Sequence, residues 1–167
     1  MSITLNDANL PYPDPLHPIV VHFVIAMVVF SFICDVLGYF TGNSRLFEVS
    51  WWNLFVAAVA IFVAIIFGQF EAGLAQPYPA AQSVLTVHTI IGWSLSAIVV
   101  AIASWRFIIR RLNPVRLPPV YLLAGILIMG AMYVHGTLGA QLGDEFGIHN
   151  TAGNLVRQGK NPNALLK

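Results

Sequence analysis

An all-α fold of four membrane-spanning helices in an up-down bundle follows from three observations. Charged residues are 9% of the 167-residue chain and hydrophobic ones 57%, whereas a soluble domain carries about 25% charged residues. Four windows, Ile19 to Tyr39, Trp51 to Phe70, Val84 to Trp105 and Val120 to Leu142, are long enough to cross ~30 Å of hydrocarbon at ~1.5 Å per residue. Arg45 falls in the first connection and Arg106, Arg110, Arg111 and Arg116 in the third, while the second holds no Lys or Arg, as in a chain that crosses up and down. The expected division is a Pro-rich extracytoplasmic segment over 1–18, the bundle over 19–142 and a polar extracytoplasmic tail over 143–167.

The N-terminus, MSITLNDANLPYPDPL, has no Lys or Arg, so it lacks the basic region of a cleavable signal peptide and the first span is expected to be retained. Pro11, Pro13, Pro15 and Pro18 make an extended approach. Pro18 then suits a first helical turn, leaving His17 at the helix start. His17 and His22 are five positions apart and diverge by about 140° around a helix, so they do not face one atom from one side. Gly42 in TGNSR stops the first helix.

Trp51 and Trp52 open the second helix at the interface that indoles prefer. Ala57, Ala58, Ala60 and Ala64 offer small contact surfaces, and Glu71 is the only charge between Trp51 and Trp105. The third helix carries His88 near one end, Gly92 one turn on, and Trp93. After the turn NPVRLPP, the fourth carries Gly125, Gly130, His135, Gly136 and Gly139. Cys34 is a lone thiol in an apolar span, which has no internal disulfide partner and reads as buried and inert.

Five of the eight Lys and Arg, namely Arg45, Arg106, Arg110, Arg111 and Arg116, flank one membrane face. The positive-inside rule makes that face cytoplasmic and puts both termini in the periplasm, or in the lumen of a thylakoid-type membrane. A formal charge of +1 gives no footprint for nucleic acid.

Up-down topology gathers His22, His88, His135, Glu71 and, nearer the surface, His17 in the outer third of the bundle. An ionisable residue within a span is a functional-site hypothesis by default. The leading expectation is haem b, one or two groups, held by axial histidines from facing helices, with Gly92, Gly136 and Gly139 supplying room for the macrocycle. A single haem is expected to draw its ligands from His22, His88 and His135, and His17 becomes a ligand only with a second haem or metal. His149, in the polar tail, is expected to be dispensable. The second expectation is a non-haem Fe, Zn or Cu site on these histidines with Glu71. The third is a proton or ion relay without a cofactor. Glu71 is expected to hydrogen-bond the second ring nitrogen of a ligand histidine or to lie at the headgroups. No CxxC, CxxCH or phosphate-loop signature occurs.

The opening LHPIVVHF at 16–23, Glu71 after the second span, His88 early in the third and His135-Gly136 in the fourth resemble the bacterial membrane family filed as domain of unknown function 2231. Val24 stands where that family's pattern suggests proline. The resemblance implies a four-helix membrane protein in a bacterial inner or thylakoid-type membrane, and the occurrence of members beside cytochrome-type domains implies a redox role. The expectation is a small b-type cytochrome, or the haem-bearing subunit of a larger electron-transfer complex, rather than a stand-alone enzyme. Its partner would be a c-type cytochrome, a copper protein or a quinone at the outer face. The competing class is a cofactor-free assembly or transport subunit of a respiratory or photosynthetic complex.

Overall fold

The computed structural model describes residues 16–74, 79–114, 116–146 and 159. The proline-spaced approach before Leu16, His149 and the basic residues of the tail fall outside the described residues. Four helices follow in order: α1 (His17–Thr41), α2 (Ser44–Leu74), α3 (Pro79–Leu112) and α4 (Pro119–Asp144). No strand occurs among the described residues. All four are long and apolar enough to cross a membrane.

Each helix outruns its apolar window. Pro18 occupies the first turn of α1, where its missing N–H costs no hydrogen bond. At the far end Gly42 takes a left-handed φ of 69° and its N–H donates to Gly38 O at 2.9 Å, the C-terminal stop expected of glycine. The first connection is shorter than the sequence suggests, because α2 restarts at Ser44. Gly38 lets the hairpin close, since a Cβ there would fall 2.7 Å from the Phe47 ring. Trp51 and Trp52 therefore lie two turns inside α2 rather than at its start.

α1 packs most closely on α2, α3 bridges α2 and α4, and α1 meets α4 more sparsely. The core between them is aliphatic, built from Val24, Val28, Leu54, Ala57, Ile61, Leu95, Val99, Ile128 and Met132. The outer surface is just as apolar: Leu127 and Tyr133 are 67% and 75% exposed. Water would penalise such a surface and lipid does not, which is the inverse of a soluble bundle's pattern.

The end bearing the two described connections is pinned by charge. Arg106 and Asp35, each 1% exposed, pair across α3 and α1 with Nη2 to Oδ1 at 3.3 Å, and the same Nη2 donates to Phe47 O at 3.1 Å. Phe47 and Tyr121 flank the guanidinium at 5.6 and 5.9 Å, within cation–π range. Arg110 grips Glu48 with two bonds of 2.9 and 2.7 Å. Arg106, counted above as a flanking charge, is thus inside the bundle.

Candidate functional site

At the opposite end the helices part around a cavity of about 420 Å³. His17 and His22 from α1, Glu71 from α2, His88 from α3, and His135 with Gly139 from α4 all line it. Every histidine placed at this end by the sequence and described in the structure therefore reaches one space.

His17 turns inward against α2. Its Nδ1–H donates to Ala64 O at 2.8 Å, since a carbonyl only accepts; in the neutral tautomer this leaves the lone pair on Nε2. The ring fits because position 68 has no side chain: a Cβ on Gly68 would lie 2.8 Å from His17 Cε1. His22 is exposed at the rim, and its Nδ1–H donates to Pro18 O at 2.6 Å, which leaves the same lone pair free. The 140° divergence appears here as an inner and an outer imidazole on one cavity. His17 is the half-buried one of the two and His22 the exposed one, a lateral order that spacing along the helix did not fix.

Glu71 is 1% exposed, so its carboxylate is packed within the protein. Its Oε1 accepts from the backbone N–H of Leu16 at 2.8 Å and of His17 at 2.7 Å. The first amides of a helix have no partner within it, and a carboxylate complements the positive end of the dipole. Glu71 therefore caps α1 from the neighbouring helix, holding His17 by its main chain where a bond to a ring nitrogen was expected.

His88 and His135 stack face to face, with centroids 3.9 Å apart and planes 11° off parallel. The glycines serve this pair reciprocally. A Cβ on Gly92 would meet His135 Cε1 at 3.1 Å, and one on Gly139 would meet His88 Cε1 at 3.2 Å. Each helix carries a histidine and, four residues on, a glycine, so antiparallel packing sets each imidazole over the partner helix's glycine. The room expected for a macrocycle at Gly92 and Gly139 is filled by the two imidazoles. A Cβ on Gly136 would touch nothing within 4 Å; that residue is a rim position.

Among the described residues no three His, Cys, Asp or Glu side chains converge closely enough to hold one ion. His88 and His135 face each other, Oε1 of Glu71 faces the α1 backbone, and His22 lies at the rim. Sequence reasoning missed Gly68 as the seat of His17, although the spacing of Ala64 and Gly68 marks one small-residue stripe on α2. It also missed the Asp35–Arg106 pair.

Fold and site together define a class: a membrane-embedded four-helix bundle with a histidine-lined cavity at one end. The chain belongs to the family described as predicted membrane protein (DUF2231), whose model matches residues 13–152. No curated protein and no solved structure matches it.

Proposed function

We propose that this protein is a small b-type cytochrome, or the haem-bearing subunit of an electron-transfer complex, with haem b seated in the cavity between α1 and the α3–α4 pair. The observation that carries the reading is the state of the α1 imidazoles around that cavity. Metal-ligating histidines almost always donate their second ring N–H to a carbonyl or carboxylate, and the Nδ1 atoms of His17 and His22 are both engaged in this way, which leaves Nε2 of each as the atom a metal would take.

The donor set fits haem better than a bare ion. A structural or catalytic ion asks three or four ligands of the protein, whereas a porphyrin brings four nitrogens and asks for one or two. A volume near 420 Å³ lies within the ~300–1,000 Å³ of ordinary cofactor sites and favours one haem rather than two. No plate enters a stack of 3.9 Å, so the residues that would hold the group are one imidazole from α1, His17 or His22, and one of His88 and His135. Bound there, the iron supplies a one-electron redox centre. The apolar walls exclude water, Glu71 fixes the height of His17, and the glycines fix the tilt of the stacked pair.

Arg45, Arg110, Arg111 and Arg116 lie at the other end, which the positive-inside rule assigns to the cytoplasm of a bacterial inner or thylakoid-type membrane. The cavity then opens toward the periplasm or lumen, where a c-type cytochrome, a copper protein or a quinone exchanges electrons with it.

The test is the visible spectrum of protein purified from haem-replete cells. A Soret band, α and β bands on reduction, and about one haem per chain by pyridine haemochrome are expected. Colourless, well-folded protein would overturn the proposal in favour of a cofactor-free subunit.

A further inference from the structure

Trp51, Trp52 and Trp105 lie toward the arginine-bearing end, near an interface of the kind indoles prefer. Trp93 does not. It stands about 18 Å along α3 from Trp105 and about 14 Å from Val84, where the apolar window opens, which is close to the middle of ~30 Å of hydrocarbon. At that depth the side chain is 53% exposed, and it makes no hydrogen bond to any described residue. Acyl chains offer its N–H no acceptor.

Trp93 also lines the histidine cavity, with Thr89 one turn before it and Leu85 one turn before that, so the three form one ridge of α3. A residue that lines a cavity and is itself exposed stands at its mouth, and at the depth of Trp93 that mouth opens sideways into lipid. The hydroxyls of α3 supply a second, independent observation. Thr86, Ser94, Ser96 and Ser104 each donate to the carbonyl four residues back, at 2.7–2.8 Å, the usual resting place of a hydroxyl on a membrane helix. Thr89 makes no such bond among the described residues. A hydroxyl and an indole N–H, on successive turns of one ridge, thus stand uncommitted at the mouth of an apolar cavity.

We propose that this mouth docks a membrane-soluble quinone. One carbonyl oxygen, which has two lone pairs, accepts from Nε1–H of Trp93 and from Oγ1–H of Thr89, and the isoprenoid tail stays in the lipid. Residues four apart on a helix are neighbours, so one oxygen can reach both donors. An oxidised quinone carries acceptors and no donors on an apolar ring, which complements this pair, and its tail holds it at the depth of Trp93. A water-soluble redox protein does not enter that layer. Thr89 and Trp93 lie about 100° around the axis from His88 and Gly92, so a ring docked on them does not displace the stacked imidazoles. The choice of a quinone among lipid-soluble carbonyl compounds rests on the electron-transfer reading above, whereas docking itself needs no haem.

The purified protein is photolabelled with an azido derivative of a short-tailed ubiquinone after its visible spectrum is recorded, and the label is located by peptide mass spectrometry. Label should fall on the α3 segment bearing Thr89 and Trp93, and an excess of unlabelled short-tailed ubiquinone should remove most of it. Thr89→Val, similar in shape but without the donor, and Trp93→Phe should each lower the yield several-fold; if one of them does not elute as the wild type does, the other decides. Label confined to other helices, label that excess quinone leaves in place, or an unchanged yield in a well-folded variant would overturn the site. Haem without labelling keeps the cytochrome and removes the quinone site. A colourless protein labelled at the ridge keeps the site and removes the haem.

Discussion

At the scale of single residues, four glycines near the cavity divide by what a Cβ would meet. In an exposed helix position alanine is favoured over glycine by about 1 kcal/mol, so Gly136→Ala, with nothing within 4 Å, should leave thermal stability and any haem spectrum unchanged or slightly improve stability. Gly68→Ala should act oppositely. Its Cβ would sit 2.8 Å from His17 Cε1, closer than real Cβ contacts come, so the ring has to move. The imidazole must leave Ala64 O, and a haem held by His17 should shift its Soret maximum or be lost. Gly92→Ala and Gly139→Ala should perturb the stacked pair by the same means and to similar extents, because the two contacts are mirror images. Unequal effects, with one variant silent, would show that the pair is not reciprocal. Glu71→Leu removes the acceptor of two buried helix amides, which costs about 1–3 kcal/mol for each amide left unpaired; Glu71→Gln keeps an oxygen and should cost less. Equal melting temperatures for the two variants would count against the cap.

At the scale of helices, the buried pair joining α1 to α3 behaves differently from the surface pair joining α2 to α3. Removing one partner of a buried pair leaves the other charge unpaired and costs about 3–5 kcal/mol. Asp35→Leu or Arg106→Leu alone should therefore lower the melting temperature far more than the two together, and a double variant as unstable as the worse single one would contradict this. Partly exposed ion pairs contribute about 0–1 kcal/mol, so Glu48→Gln should be nearly silent. The helices themselves were legible in the sequence, because an apolar run long enough to span the membrane has few other folds. Their ends were not. Ser44 to Ser50 and the stretch around Gln69 to Leu74 read as connections by polarity, yet they are helical, because Arg106 and Glu48–Arg110 on one side and the Glu71 cap on the other satisfy their polar groups within the bundle. The convergence of His17, His22, His88 and His135 was legible from topology alone. Which of them faces the core was not, because that depends on Gly68, Gly92 and Gly139, whose value appears only once the opposite helix is known.

At the scale of the whole molecule, polarity is divided between the ends of the bundle. Imidazoles and a capping carboxylate gather at one end, and arginines at the other. Arg45, Arg111 and Arg116 remain exposed after Arg106 and Arg110 have found partners, so the asymmetry that orients the chain survives the loss of Arg106 from the flank. In a bacterial inner membrane the exposed arginines should face the cytoplasm. Gly42 is a poor place to test this, because its φ of 69° would strain any side chain; the adjacent exposed Asn43 serves instead. Cys34 is buried and should give little background with a membrane-impermeant thiol reagent. Asn43→Cys should be protected in intact cells and react after lysis, whereas Asn163→Cys, in the tail, should react from outside. The reverse pattern would place the histidine cavity on the cytoplasmic side, and with it the redox partner.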